Sequence, residues 1–328
     1  MIIQPMTTPT PPSAPQKISG IVALQHWGVI RAVGADAATF LQGQLTQDVL
    51  TMALGTARLA AFCNAKGRMQ ASFWVVKRAG QDGSDEFWLV CSADILAQTL
   101  KRLSMFVMRA KVKLSDASGE VMLHGLVDDA VNLIANSQDE SMAIGQFDNE
   151  NSIALHPGAG VQRALWCAPA GTAIPTATPL PLSTWLWLEV QSGIAMVTQP
   201  IFEAFVPQML NYESIGGVSF KKGCYPGQEV VARSQFRGTL KRRAYVVHVV
   251  CLAQGDHTPF VGQEVFEPSQ PDQPCGLIAA CAANPAGGFD AIVVLQTSAA
   301  LSQALALGSA LGPPATLLPL PYPLLEDI

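Results

Sequence analysis

One cysteine, Cys224, stands in a short stretch of chain that is rich in lysine and glycine. Lys221 and Lys222 precede it, and Gly223 and Gly227 flank it. Nearby positive charge stabilises a thiolate and lowers the pKa of a thiol from its free value of about 8.5. Glycine lets the backbone adopt positive φ angles or approach a ligand closely. The pattern favours a reactive thiol in a cationic loop, and a surface turn around a buried, inert cysteine is the open alternative.

The cationic character extends well beyond this loop. Seven lysines and arginines fall between positions 221 and 243 against one carboxylate, Glu229, which gives this stretch a formal charge of +6 in a protein of net charge −5. Arg233 and Arg237 are four residues apart and could share one helical face that binds a carboxylate tail or a phosphate. A solvated basic face fits the same spacing. Because the stretch lacks clustered aromatic residues, it is only a weak indication of nucleic-acid binding.

The loop also carries a family resemblance. Residues 222–229 read Lys-Gly-Cys-Tyr-Pro-Gly-Gln-Glu, which resembles the signature of the YgfZ family, the folate-binding relatives of the glycine-cleavage T protein (an aminomethyltransferase). The resemblance continues in other segments and covers roughly residues 20–328 in the same order. Those segments are residues 40–49, 63–68, 207–211, 216–220 and 318–322.

The resemblance implies an α+β fold in which several domains form a ring around a central cavity, with a β-barrel at the C-terminal end. On this basis we expect a disordered tail at residues 1–18, an α+β domain at 19–115, a second α+β domain at 116–240 that carries the cysteine loop, and the barrel at 241–328.

The resemblance also implies a cofactor, partners and a site. The cofactor is tetrahydrofolate or a derivative, and the partners are iron–sulfur enzymes or assembly factors, including enzymes that modify tRNA. Contact with tRNA itself is expected to be indirect or weak. Cys224 and Lys222 are expected to carry the chemistry. The folate cavity is expected to lie near Gln191, Asn64, Arg233 and Tyr225.

Departures from the T protein bear on the reaction. Positions 66–72 read Lys-Gly-Arg-Met-Gln-Ala-Ser and hold no carboxylate where the T protein places an aspartate, so no proton acceptor is available there. Gln191 stands where the T protein has the glutamate that holds the pterin ring. These differences predict that folate binding is kept and transfer chemistry is lost. An active aminomethyltransferase and a non-enzymatic carrier of folate or cluster intermediates are the alternatives, and the sequence leaves open whether a reaction is catalysed.

Composition sets independent bounds. A chain of 328 residues predicts two or three domains, and 49% hydrophobic with 14% charged residues is typical of a well-buried globular protein. The seven cysteines are odd in number and include no C-x-x-C pair, so we expect reduced cytoplasmic thiols rather than a disulfide framework. The five histidines form no i,i+3 or i,i+4 pair, and no protein-only metal site is expected.

Two segments could be mistaken for membrane or targeting signals. Residues 291–325 contain no charged side chain, but polar residues and prolines interrupt them, so a spanning helix is not expected. Residues 1–16 hold five prolines and no positive charge, unlike a secretion signal or a transit peptide. We therefore expect a cytoplasmic protein without a membrane partner.

Periodicity predicts mixed secondary structure. Helices are expected after Asp36 and Ser92, each of which can cap its helix, and from Ser183, with apolar residues at helical spacing in each. On the helix from Ser183, Trp185 and Trp187 are two residues apart, so they point in nearly opposite directions and cannot both line one pocket. Strands are expected at residues 72–77, 86–91, 121–127, 244–251, 276–281 and 289–295, and the last three suggest a small terminal barrel.

Overall fold

Three β-sheets and the helices packed on them form the described part of the chain. This computed structural model describes residues 17–80, 83–132, 144–145, 147–148, 151–236, 240–250, 258–302 and 304–325. Its strands are β1 (Gly20–Ala23), β2 (Trp27–Val33), β3 (Thr56–Cys63), β4 (Met69–Ala79), β5 (Asp85–Ser92), β6 (Lys113–Asp116), β7 (Val121–Val127), β8 (Phe147–Asp148), β9 (Ser152–Gly158), β10 (Val161–Pro169), β11 (Arg242–Val249), β12 (Glu264–Phe266), β13 (Pro274–Ala283), β14 (Phe289–Gln296), β15 (Leu305–Leu307) and β16 (Pro314–Leu318).

The helices are short and connect or cover these sheets. They are α1 (Ala37–Gln42), α2 (Ala93–Ser104), α3 (Asp129–Asn132), α4 (Leu182–Gln191), α5 (Gln228–Phe236) and α6 (Thr297–Ser302), with single 3-10 turns at Gln199–Ile201 and Pro207–Leu210. None of the helices in the described ranges is both long enough and apolar enough to cross a membrane.

The first sheet has the antiparallel order β3-β4-β5-β2-β6. Residues 69–76 of β4 are buried without a break, because both faces of this central strand are covered. Helix α2 packs on β2, β4 and β5 through its buried stripe of Ile95, Leu96 and Leu103. Residues 193–206, here called the strap, also contact β4: the amide of Val197 donates to Ser72 Oγ (2.8 Å).

The second sheet has the order β1-β7-β10-β9-β8. Although β1 directly precedes β2 in the chain, it pairs with β7, so the chain crosses from the second sheet to the first within a few residues. Gly125 of β7 lies under the Trp185 ring of α4, where a Cβ atom would come within 2.4 Å of the ring. The absence of a side chain at Gly125 therefore lets α4 lie close on this sheet.

The last six strands close into a barrel of order β11-β14-β13-β12-β15-β16. Its interior is filled by small branched residues such as Val247, Val293 and Leu295, which are fully buried. Strand β16 completes the closure by pairing with β11. Beyond β16, the Tyr322 hydroxyl donates to the carbonyl of Gly193 (2.8 Å) and so connects the C-terminal segment to the start of the strap.

The predicted α+β class and the terminal barrel are confirmed, and each predicted helix and strand lies within or beside an observed one. Two details differ, because neither predicted N-cap residue caps its helix with its side chain. The Asp36 Oδ2 accepts a hydrogen bond from the amide of Lys111 (2.7 Å), and the Ser92 hydroxyl donates to Asp94 Oδ1 (2.6 Å). The expected domain limits at 18, 115 and 240 stay a prediction, and residues 1–16 and Arg237 lie outside the described residues.

Candidate functional site

The Cys224 loop packs backbone to backbone on the turn between β3 and β4. Gly227 (φ +79°) and Gly67 (φ +71°) are both left-handed and meet each other. A Cβ atom on Gly227 would lie 2.4 Å from the carbonyl oxygen of Asn64 and 2.6 Å from Gly67 Cα. Only glycine fits both the conformation and the space, so the sequence positions the thiol loop by its glycines.

Replacing Gly227 by alanine is therefore expected to displace the loop. The new methyl group collides with backbone, and the left-handed φ angle adds strain, so we expect a loss of about 1–3 kcal/mol in the free energy of unfolding. Gly223→Ala is the matched control, because a Cβ atom there meets nothing within 4 Å. Urea denaturation of the two variants measures the difference, and equal losses would contradict the close packing of Gly227.

Cys224 differs from the other described cysteines in its exposure. It is solvent-exposed, whereas Cys281 is half-buried and the remaining described ones, Cys63, Cys91, Cys167 and Cys275, are buried. Burial raises the pKa of Cys63, Cys91 and Cys167 to about 12, which keeps them as neutral thiols. Of the described thiols, Cys224 is thus the one open to a reagent or partner.

Lys222 does not extend into solvent beside the thiol. Its ammonium group is buried and donates to the carbonyl oxygens of Gln42, the last residue of α1, and of Leu45, just beyond that helix. Its Nζ also lies 4.9 Å from the centre of the Tyr225 ring. Burial lowers the pKa of Lys222 to about 8, so the residue can lose its proton near physiological pH. Lys221, next to it, is the exposed lysine of the pair.

Tyr225 and Asn64 are beside the same loop. Tyr225 is buried, lies close enough to Cys63 to interact electrostatically, and has its pKa raised by burial. Asn64 is half-buried, and its Oδ1 accepts from the amides of Lys66 (2.9 Å) and Arg68 (3.0 Å), which fixes the turn. Four of the six predicted site residues (Cys224, Lys222, Tyr225 and Asn64) therefore come together around one loop and one turn.

The other two predicted residues are engaged elsewhere. Gln191, the last residue of α4, donates from Nε2 to Asp290 Oδ2 of the barrel (2.7 Å). Arg233 lies on α5 with 67% of its side chain exposed and pairs with Glu229 one turn away (2.6 Å). Their roles in folate binding stay predictions.

A cavity of about 170 Å³ opens where α4, the strap and strand β13 meet. Glu189, rather than Gln191, lines it, together with Arg163 and His26. The Trp185 indole donates to Glu189 Oε1 (2.8 Å), and His26 Nε2 lies 3.5 Å from Glu189 Oε2. The apolar walls include Trp27 and Trp74.

Several polar atoms of this cavity are buried and lack a hydrogen-bond partner. They are Nδ1 of His26, Nη1 of Arg163 and Oγ1 of Thr198; Nε2 of His26 also makes no hydrogen bond and has only its 3.5 Å contact with Glu189 Oε2. Arg163 is 5% exposed; its Nε and Nη2 donate to the carbonyl of His156 (3.2 and 3.1 Å). Burial lowers the pKa of Arg163 to about 10, so it remains a cation at neutral pH. Unpaired buried groups cost about 1–3 kcal/mol each, and a polar ligand would relieve that cost.

Sequence reasoning missed this polar set, although one signal was available. Trp185 and Glu189 are four residues apart on α4 and share one face, and Trp187 and Gln191 share another. Glu189 of the first pair lines the cavity and accepts from the Trp185 indole, and both members of the second pair donate to Asp290. Arg163 and His26 come from β10 and the β1–β2 turn, and their spacing in sequence gave no sign of a shared site.

The chain is similar to curated bacterial proteins along most of its length. It is 31% identical over 256 residues to the tRNA-modifying protein YgfZ of Escherichia coli (strain K12 / DH10B), covering 73% of this chain and 76% of that protein. It is 27% identical over 280 residues to the protein of the same name from Cronobacter sakazakii, covering 79% and 80%. An uncharacterized protein of Haemophilus influenzae is 30% identical over 249 residues, covering 76% and 79%. No family model matches the chain.

Among solved structures, the fold is similar to that of the glycine cleavage system aminomethyltransferase T from Bartonella henselae. The TM-score is 0.63, and the match covers 95% of this chain and 88% of that one at 14% sequence identity. At 14% identity, this likeness shows a shared arrangement of helices and strands.

Proposed function

The chain belongs to the YgfZ family of proteins related to tRNA modification, and we propose that it binds a reduced folate in the cavity beside α4 and supports iron–sulfur enzymes through Cys224. The observation that carries the proposal is the set of unpartnered buried polar atoms around Glu189 and Arg163. A protein of this type acts upstream of tRNA-modifying enzymes, and contact with tRNA itself is indirect or weak.

The donors and acceptors of the cavity suit a pterin. One edge of a pterin presents a ring carbonyl that accepts a hydrogen bond and an N–H and an amino group that donate. The free Nη1 of Arg163 can donate to the carbonyl, and the Glu189 carboxylate, with about four lone-pair sites, can accept from the two donors. Aromatic rings at Trp27 and Trp74 offer flat surfaces to a bicyclic ligand.

The size of the cavity limits what can enter. Its volume of about 170 Å³ is small beside the ~300–1,000 Å³ of sites that enclose a drug-sized ligand. We therefore expect the pterin to enter and the benzoyl-glutamate portion to extend outward. Bound tetrahydrofolate would supply a carrier for one-carbon units, and the residues of this chain hold and orient it.

Replacing Glu189 by glutamine is expected to weaken folate binding roughly thirtyfold. The amide keeps the size but loses the negative charge, and a hydrogen bond to a charged group is worth about 2 kcal/mol. Titration of tryptophan fluorescence with tetrahydrofolate measures the dissociation constant, since Trp27 and Trp74 line the cavity.

Glu120→Gln serves as the control, because it removes the same charge from an exposed residue outside the cavity lining. If Glu189→Gln and Glu120→Gln bind folate equally well, the cavity is not the folate site. If the wild-type chain gives no saturable signal, folate binding itself is wrong.

Two other functions make different assay predictions. An aminomethyltransferase would transfer the methylene carbon of a lipoyl-bound aminomethyl group to tetrahydrofolate, releasing ammonia and the free lipoyl thiol, and positions 66–72 lack the carboxylate that this chemistry needs. A non-enzymatic scaffold would bind folate or a cluster intermediate without turnover. A transfer assay identifies the first, and a test of multiple turnovers with an iron–sulfur substrate separates the second from a catalyst.

A further inference from the structure

Glu203 is a strained residue of the strap that lies beside the turn between β3 and β4. Its φ angle is +57°, which is left-handed and costs a non-glycine residue about 1–2 kcal/mol. Two backbone hydrogen bonds hold the strap there: the amide of Glu203 donates to the carbonyl of Met69 (2.9 Å), and the amide of Met69 donates to the carbonyl of Phe205 (2.8 Å). Strain that is fixed in this way is often found at functional sites.

The Glu203 carboxylate is held by two side-chain amides. Gln70 Nε2 donates to Oε1 of Glu203 (2.7 Å), and Asn64 donates a second hydrogen bond. These bonds lower the pKa of Glu203, so the group is ionised at neutral pH and is a poor proton acceptor. A carboxylate has about four lone-pair sites, and two donors leave capacity for a further one.

Gln70 provides an independent sign that a donor belongs here. Its side chain is 7% exposed, and its Oε1 is buried without a hydrogen-bond partner. The same amide group is bonded to Glu203, so the free oxygen lies beside the carboxylate. Two neighbouring acceptors, one of them charged, match a group that carries several N–H donors and a positive charge.

The acceptors are close to the thiol loop. Asn64 contacts Glu203 with its side chain and Gly227 with its backbone oxygen, and Cys224 is three residues before Gly227. Tyr225, next to Cys224, lies near Cys63, which pairs with Met69 across β3 and β4. The carboxylate and the loop that carries the thiol therefore flank the same turn, and the cations Lys66 and Arg102 are also near Glu203.

We propose that Glu203 and Gln70 form a binding site for an ammonium group, and that ligands reaching Cys224 are oriented by a primary amine bound there. The site is separate from the cavity beside α4 and does not depend on folate. It selects for cationic amines in a neighbourhood whose lysines and arginines would otherwise favour anions.

Charged thiol reagents test this selection. The 2-aminoethyl, methyl and 2-sulfonatoethyl methanethiosulfonates each form a mixed disulfide with a thiolate and release methanesulfinate, and they differ in charge. Rates at Cys224 are followed by mass spectrometry of its peptide in a Cys251→Ser background, since Cys251 lies outside the described residues. Glu203→Gln is expected to lower the ratio of the cationic to the anionic rate about tenfold. The rate with the neutral reagent should stay the same.

Two further variants distinguish a specific binding site from the general electrostatic effect of a negative charge near Cys224. Glu229→Gln removes one negative charge from α5, close to Cys224 in sequence, and is expected to change the ratio less than twofold. Gln70→Met keeps the charge but removes the free acceptor and the donor to Glu203, and should lower the ratio about threefold. If Glu203→Gln and Glu229→Gln change the ratio equally, or if Gln70→Met leaves it unchanged, the amine site is wrong. Thermal melting confirms that each variant is folded.

Discussion

Iodoacetamide is expected to alkylate Cys224 at least about a hundredfold faster than Cys63, Cys91 or Cys167 at neutral pH. The three slow thiols are buried, and their pKa of about 12 leaves roughly one thiolate in 10⁵ molecules at pH 7. Cys224 is exposed in a loop whose neighbour Lys221 is also exposed. Since only the thiolate attacks, burial and a raised pKa both slow the three other thiols, whereas Cys224 is open to the reagent.

Peptide mass spectrometry after short exposures gives the rate at each cysteine. Labelling of Cys224 no faster than Cys63 or Cys167 would contradict a reactive thiol. Cys224→Ala should remove the fast phase while changing the free energy of unfolding by less than about 0.5 kcal/mol, because the side chain is on the surface. The same variant is expected to abolish support of iron–sulfur enzymes in cells, whereas Cys275→Ala, which changes a buried thiol outside the cavity lining, should retain it.

Replacing Asp290 by leucine is expected to destabilise the protein by about 3–5 kcal/mol. The Asp290 carboxylate is fully buried and bonds to the indole of Trp187 (2.6 Å), the amides of Gln191 (2.7 Å) and Asn284 (2.8 Å), and His248 Nδ1 (2.7 Å). Removing the acceptor leaves several buried donors without a partner, and each unpaired buried donor costs its full desolvation free energy. Urea denaturation, followed by tryptophan fluorescence, measures the loss.

Gln191→Met is the matched control, because it breaks one of these bonds and keeps the carboxylate. We expect it to cost about 1 kcal/mol and to leave folate affinity unchanged. A loss below about 1 kcal/mol in Asp290→Leu would show that the network does not hold α4 to the barrel. A large drop in folate affinity in Gln191→Met would restore the role that the sequence first suggested for Gln191.

Part of the thiol loop can be predicted from the sequence, because the information for it is local. Gly67 and Gly227 indicate the backbone conformation directly, and the structure places them against each other at one turn. The cluster of lysines indicates the charge of the loop directly. The direction of a flexible side chain is not local information. Lys222 turns inward because the carbonyl groups at the C-terminal end of α1 need donors. Those carbonyl groups belong to a segment about 180 residues away in the sequence.

The positions of Glu189 and Glu203 could not be predicted from the sequence, because they depend on contacts between distant segments. Helical geometry alone separates Glu189 from Gln191, but which face meets the cavity is decided by Asp290 on β14. Glu203 is likewise hydrogen-bonded to Gln70, which is 133 residues away in the sequence, and no periodic pattern in the sequence predicts this pairing. Sequence patterns thus predicted the helices and strands, whereas tertiary packing decides that the carboxylates of Glu189 and Glu203 lie at the two sites.

The seam between β11 and β16, with Tyr322 bonded to Gly193, also sets an order of events during synthesis. A ribosome delivers residues 218–243 well before residues 314–322, so the thiol loop exists while the barrel is still open. The strap acquires its bond to Tyr322 only after that later segment has emerged. A nascent chain therefore displays Cys224 before the barrel and the strap beside the cavity are complete, and ligand capture is expected to follow translation rather than to accompany it.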